Sequence, residues 1–291
     1  MPDKFTAAAS VAKIMLAIVI FMSFVASVMA AGAFAAECSR PFSLPVSPTG
    51  SGIVIAKKQF GGTYLDVLRA AGKKNGCEFI FSAVPRSRQE MMFQNGQSDV
   101  LLPAVRTERR DEAGFFIPLL SVRPALISLA ADRPAIHSTQ ELLEHRELKL
   151  ALVRGFDYGG AYMTLINELK SQGRLMLEPD PTSVARLMLS GAADATIIVA
   201  PIFTEVVQTD KRLESLQSRL RYEVLDDLPW IDSGAYLSKT SLSAEDREAL
   251  QDLLENITRS GALLASLRRH AYPDNLKDSV KAHVSAKPAA N

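Results

Sequence analysis

Residues 96–120 read GQSDVLLPAVRTERRDEAGFFIPLL. Two apolar runs, Val100–Val105 and Phe115–Leu120, are joined by a short connection that carries Arg106, Arg109 and Arg110. The first run is preceded by Gly96 and Asp99, which close the helical stretch SRQEMMFQNG. Glycine can take the positive φ a helix exit needs, and aspartate can cap the turn into a buried strand. The stretch therefore reads as helix end, strand, charged turn, strand. The arginines have two readings, a solvated turn or a prebuilt clamp for an anion.

Upstream, RPFSLPVS reads as a strand and GGTYLDVLRAAGKKNG as a helix, with periodic Tyr64, Leu65, Leu68 and Ala71 and a left-handed exit at Gly76. CEFIFSAV is a strand by its aromatic, alternating content. Downstream, PALISLAA is extended, and HSTQELLEH carries Ser138 and Glu141 in capping-box spacing. LKLALV, the loop GFDYGG, the helix AYMTLINELKSQG, RLMLEP, TSVARLMLSG and DATIIVAP continue the alternation. This pattern predicts an α/β fold with a largely parallel sheet. Gly191 and Asp194 in MLSGAADATIIVAP repeat the Gly96 and Asp99 spacing about a hundred residues later, which points to two units of similar plan. DSGAYLSKT then reads as a strand, the stretch from Ser243 as a long amphipathic helix, and ALLASLRRH as a short one. Residues 273–291 read as a flexible tail.

Composition narrows the function. Lys4 and Lys13 precede an uncharged run ending Ala33-Phe34-Ala35, the layout of a signal peptide over 1–35 with cleavage before Ala36. An uncleaved membrane anchor is the alternative, since about 20 apolar residues suffice to span a bilayer. The chain has 33 basic and 32 acidic residues, and losing Lys4, Lys13 and Asp3 makes the two signs equal. That balance argues against a nucleic-acid partner. About 255 residues remain, enough for one large domain or two lobes. In an exported chain Cys38 and Cys77 read as one disulfide, two unpaired thiols being the alternative. The four histidines show no metal-ligand spacing, so neither a metal nor another cofactor is expected.

The segment at 96–120, with GGTYLDVLRAAG and SGAYLSKTSLS, resembles the type II periplasmic solute-binding proteins of the amino-acid-receptor class, extracellular solute-binding family 3. The shared features are Gly-x-x-Asp before a strand, a Thr-x-x-Arg turn, a Phe-x-x-Pro exit, a Gly-x-x-x-Asp-Leu helix start and a return strand with a long helix. The resemblance covers nearly all of the chain after residue 35. It implies a two-lobed clamshell with two hinge strands, residues 36–121 plus 230–291 forming lobe one and 122–229 lobe two. It also implies a ligand in the cleft.

In the family, the Thr-x-x-Arg arginine grips the ligand's carboxylate. Thr107 and Arg110 occupy those positions, Arg109 reads as an outward neighbour, and Arg106 is ambiguous. Leu102, Pro103 and Ala104 depart from the small hydroxyl residues common before that turn. Val199 and Ala200 stand where an acid commonly receives an ammonium group. An unpartnered ammonium would be costly there. Arg86 and Arg88 mark a strand-to-helix junction, a surface pair at a helix start being the alternative. Arg154, Phe156, Asp157 and Tyr158 follow a strand of the second unit, and Asp157 also reads as a helix cap. Ligands of open α/β sheets meet the carboxyl ends of strands. Trp230 and Asp232 lie near the second crossing, Trp230 as hinge packing.

The implied function is a monomeric, non-enzymatic periplasmic receptor. It would capture a small carboxylate-bearing or anionic solute for an ABC-type inner-membrane permease. A ligand-sensing accessory to a membrane receptor is the second reading. The third is a dehydratase on the same fold, with Glu205 or Asp157 as the acid.

Overall fold

The computed structural model describes residues 38–57, 59–130, 132–270 and 278–283. The expected signal segment and most of the expected tail lie outside the described residues, which belong to a single compact unit, Ala36–Asn291. Chain order starts with β1 (Phe42–Val46), a hairpin of β2 (Val54–Ala56) and β3 (Gln59–Gly61), helix α1 (Thr63–Lys74), β4 (Phe79–Ala83) and helix α2 (Arg86–Gln94). Strand β5 (Val100–Val105), the short helix α3 (Glu108–Ala113) and the long strand β6 (Gly114–Val122) follow.

The second group holds β7 (Ala125–Leu129), α4 (Thr139–Glu144), β8 (Leu150–Val153), α5 (Gly160–Ser171), β9 (Leu175–Glu178) and α6 (Pro181–Leu189). It ends with β10 (Ala195–Ile198), α7 (Ala200–Thr209), α8 (Glu214–Gln217) and β11 (Leu220–Glu223). The chain then returns through β12 (Ile231–Ser238), α9 (Ala244–Ser260), α10 (Ala262–His270) and β13 (Val280–Ala282).

Two sheet systems result. In the first, β1 pairs in parallel with β4, and β5, β12, β6 and β13 form an antiparallel sheet in the order β13-β6-β12-β5. In the second the order is β11-β7-β10-β8-β9, with β8 parallel to both β9 and β10. The expected largely parallel sheet is therefore mixed. Helical crossovers give the parallel pairs, whereas the strands that leave and re-enter the first system, β6 and β12, run antiparallel.

The Gly-x-x-Asp repeat does the same work twice. Asp99 accepts from Ser43 N through its side chain (2.8 Å) and donates its own N–H to Ser43 O (3.0 Å). Asp194 accepts from Lys149 N (2.8 Å) and donates to Lys149 O (2.8 Å). Each aspartate thus pins the start of one strand to the start of its neighbour. Gly96 at φ 67° and Gly191 at φ 75° supply the left-handed exits.

The two crossings lie side by side, Ile231 opposite Val122 and Asp232 opposite Ser121. Arg123 binds them together, donating Nε to Leu228 O and Nη2 to Leu225 O, both at 3.1 Å. The stretch read as a flexible tail contributes β13, whose Val280 pairs with Val122. The strand is three residues long with one buried side chain, too brief for periodicity to reveal. Lys281 Nζ stands 4.2 Å above the Trp230 ring, and Asp232 accepts from Ser121 Oγ (3.0 Å) and contacts His283 Nδ1 (2.9 Å).

Cys38 and Cys77 form the disulfide, 39 residues apart, tying the approach to β1 to the approach to β4. Closing a loop of that size restricts the unfolded chain. Replacing both cysteines by alanine should lower stability by about 2–4 kcal/mol in urea titration. An unchanged unfolding midpoint would contradict this account of the crosslink.

Candidate functional site

The amino end of α2 and the short α3 meet beneath the carboxyl end of β5. Arg86 and Glu90 share one face of α2 at i,i+4 spacing. Thr107 caps α3, its Oγ1 accepting from Arg110 N (3.3 Å), and so turns Arg110 inward. Glu90 then receives both arginines. Its Oε1 accepts from Arg86 Nη2 (2.6 Å) and Arg110 Nη2 (2.7 Å), and its Oε2 from Arg110 Nε (3.0 Å). Arg110 Nη1 donates to Val105 O (2.6 Å), and Arg86 Nη1 to Pro103 O (2.9 Å).

All three side chains are buried, Arg86 and Glu90 at 5% exposure and Arg110 at 1%. Burial alone would push the Glu90 carboxyl up, but Arg86 and Arg110 together outweigh it and hold it below the usual carboxylate range. Burial lowers Arg86, against the pull of Glu90 and with the push of Arg110. Guanidinium remains charged regardless. Two cations and one anion leave this buried cluster one net positive charge. Arg86 Nε is buried without a hydrogen-bond partner.

Arg86 forms part of the wall of a cleft between the two sheet systems, with a cavity of about 90 Å³. About 10–15 Å³ by this measure holds one water, so the space suits a small solute. One wall carries Tyr64, Arg86, Pro103, Ala104 and Ser233. The other carries Phe156, Asp157, Tyr158, Val199, Pro201 and Ile202. Arg86 and Phe156 also border a neighbouring hollow of about 350 Å³ with Pro48, Pro85, Asp180 and Pro181.

The walls touch at two glycines. A Cβ added to Gly155 would stand 3.2 Å from Arg86 Cγ, and one added to Gly50 3.0 Å from Ile202 Cα. Tyr64, bonded to Ser233, is pushed up to about 12 by burial. Burial also raises the Tyr158 phenol, opposed by the Val199 N–H and by the field of Arg86 across the cleft.

No protein-family model and no curated protein matches the chain. Solved structures do. A histidine kinase sensor domain with similarity to periplasmic binding proteins is 19% identical, covers 80% of this chain and 96% of its own, and superposes with a TM-score of 0.63. The amino acid ABC transporter substrate-binding protein AbpA from Streptococcus pneumoniae, bound to L-arginine, is 19% identical over 78% of this chain and 93% of its own, with a TM-score of 0.62. The ancestral amino acid-binding protein AncCDT-1, a precursor of cyclohexadienyl dehydratase, is 15% identical over 79% and 95%, with a TM-score of 0.58. The fold is the type II periplasmic-binding-protein clamshell.

Within this clamshell the arginines separate. Arg86 borders the cleft with Phe156, Asp157 and Tyr158. Arg110, to which the resemblance gave a ligand carboxylate, has that fork filled by Glu90. Arg106 is exposed and paired with Asp111 (2.9 Å), and Thr107 N donates to Tyr236 Oη (3.1 Å). Arg88 is exposed, and Arg154 is exposed with Nη2 donating to Leu177 O (3.2 Å). None of these four residues borders the cleft cavity. Asp157 Oδ1 accepts from Gly159 N (2.8 Å) in a turn before α5, whose N-cap is Gly159 with no side-chain cap bond, so Asp157 is not the helix cap expected and stands on the cleft wall. Sequence reasoning passed over Tyr64, Ser233 and Ile202. Tyr64 fell on the periodic face of α1, where an aromatic reads as core.

A carboxyl held low in the fold stabilises above its unfolded value, about 4.3 for glutamate, and loses that contribution as pH falls through its folded value. Denaturant titrations from pH 6 downward should show that Glu90→Gln flattens the acid limb below about pH 4 relative to wild type. Parallel limbs would show that Glu90 is not held low.

Proposed function

We propose that this chain is an exported, non-enzymatic solute-binding receptor that takes a small carboxylate-bearing solute between two lobes, residues 36–121 with 230–291 and residues 122–229. The reading is supported by Arg86, which lines the cleft wall and belongs to a cluster with one positive charge to spare, its Nε buried without a hydrogen-bond partner. A carboxylate set against that guanidinium would neutralise the cluster, and a side-chain shift that uncovers Nε would complete the hydrogen bonding. Tyr64, Phe156 and Tyr158 offer apolar surface to the rest of the solute, and Asp157 faces it with a negative charge.

The occupied fork of Arg110 moves the proposed carboxylate contact to Arg86. Arg110, Arg88, Arg106, Thr107 and Arg154 then support the fold or surface rather than the ligand. Of the two acids named for the dehydratase reading, Asp157 stands in the cleft lining. Glu205, on α7 beside Gly50, is absent from that lining. Among the described residues no helix is long and apolar enough to cross a membrane. A monomer released to the periplasm and delivering its solute to a permease fits this reading. The likeness to a kinase sensor domain supports a membrane sensor as the second recipient, reached by the same closure of the lobes.

Thermal-shift and calorimetric screening of residues 36–291 against small carboxylates, followed by Arg86→Met, tests this reading. Glu90 keeps Arg110 in the variant, so the fold should persist. Losing a hydrogen bond to a charged group, about 1.5–3 kcal/mol, should weaken carboxylate binding at least tenfold. Equal affinity in Arg86→Met, or silence toward every carboxylate, would overturn it.

A further inference from the structure

We infer that the cleft admits solutes with one carboxylate and rejects those with two, and that Glu90 is the specificity-determining residue that sets this limit. The inference rests on the carboxylate reading of Arg86. Three guanidinium donors that could serve a second anionic group are spent on Glu90: Arg86 Nη2 at 2.6 Å, Arg110 Nη2 at 2.7 Å and Arg110 Nε at 3.0 Å. Arg110 Nη1 is held by Val105 O, and Arg86 Nη1 by Pro103 O and Gln89 Oε1. Of these nitrogens Arg86 Nε alone has no partner, while Arg86 Nη2, Arg110 Nη1 and Arg110 Nη2 each keep a second N–H beyond the bonds named.

The charge balance, rather than the number of donors, sets the limit. Glu90 cancels one of two buried arginines, so a single carboxylate neutralises the cluster. A second carboxylate would find no cation on the facing wall, where Asp157 is the charged residue. Excess negative charge in a desolvated cleft is costly, because water is not there to screen it. Glu90 therefore acts as an internal carboxylate that has already taken one of the two places the arginines could fill.

A matched set of five-carbon probes separates charge from size: pentanoate, 5-aminopentanoate and glutarate. Wild-type protein should bind pentanoate and 5-aminopentanoate at least tenfold more tightly than glutarate in NMR titration. Glu90→Gln should narrow the glutarate penalty at least fivefold. Adding Arg110→Met to Glu90→Gln restores a single net positive charge and should restore the penalty. Asp157→Asn keeps an oxygen for Gly159 N and should also relax the penalty, which preserves the test if Glu90→Gln does not fold.

Wild-type binding of glutarate as tight as pentanoate overturns the inference, as does silence toward all three probes. An unchanged penalty in Glu90→Gln, or in Asp157→Asn where Glu90→Gln does not fold, overturns it as well. If Arg86→Met abolishes pentanoate binding while glutarate binds wild type equally well, the Arg86 site stands and this inference alone falls.

Discussion

Glu90 holds two arginines in the interior, and the arrangement of the cleft depends on that one carboxylate. Removing a partner from a buried ion pair typically costs about 3–5 kcal/mol, because the remaining charge has no water to return to. The three-member cluster behaves differently. Each arginine can be lost while Glu90 keeps the other, but loss of Glu90 strands both. Through Val105 O and Pro103 O the same guanidiniums grip the backbone at the end of β5, so the electrostatic centre also fixes the strand that forms one wall.

The clamshell delivers the other wall by topology. β6 carries the chain out of the first sheet system and β12 brings it back beside β6, with Arg123 fastening the two crossings. The loop after β8 and the amino end of α7 then face Arg86, close enough that Gly50 and Gly155 stand where a side chain would press on the opposite wall. Positive φ at both glycines lets the backbone make that approach. In the proposed reading, solute recognition and lobe contact are coupled at the same few residues, as expected where two lobes close on a ligand.

Much of the fold was legible from punctuation. The Gly-x-x-Asp repeat marked two strand starts that use aspartate in the same reciprocal manner, and Ser138, Ser243 and Gly76 marked helix ends. The hairpin of β2 and β3, the segment α7 to β11 and the strand β13 were passed over, the first and last because three-residue strands carry too little periodicity. The site was legible only in part. Arg86, Phe156, Asp157 and Tyr158 do meet at the cleft, because strand ends and helix starts converge there. Arg110 illustrates the limit: a one-dimensional motif names a guanidinium but not its partner. Glu90 is twenty residues away along the chain and reaches Arg110 only after α2 and α3 have packed.

Arginine side-chain NMR tests the central claim most directly. Nε–Hε resonances of wild-type protein, assigned through Arg86→Met, would be followed while a bound carboxylate is titrated in. The account predicts that the Arg86 Hε signal moves downfield as its empty donor finds an oxygen, while the Arg110 Hε, already bonded to Glu90, stays in place. Movement of Arg110 with Arg86 unchanged would show that the ligand displaces Glu90 instead, and the account of the cleft would fail.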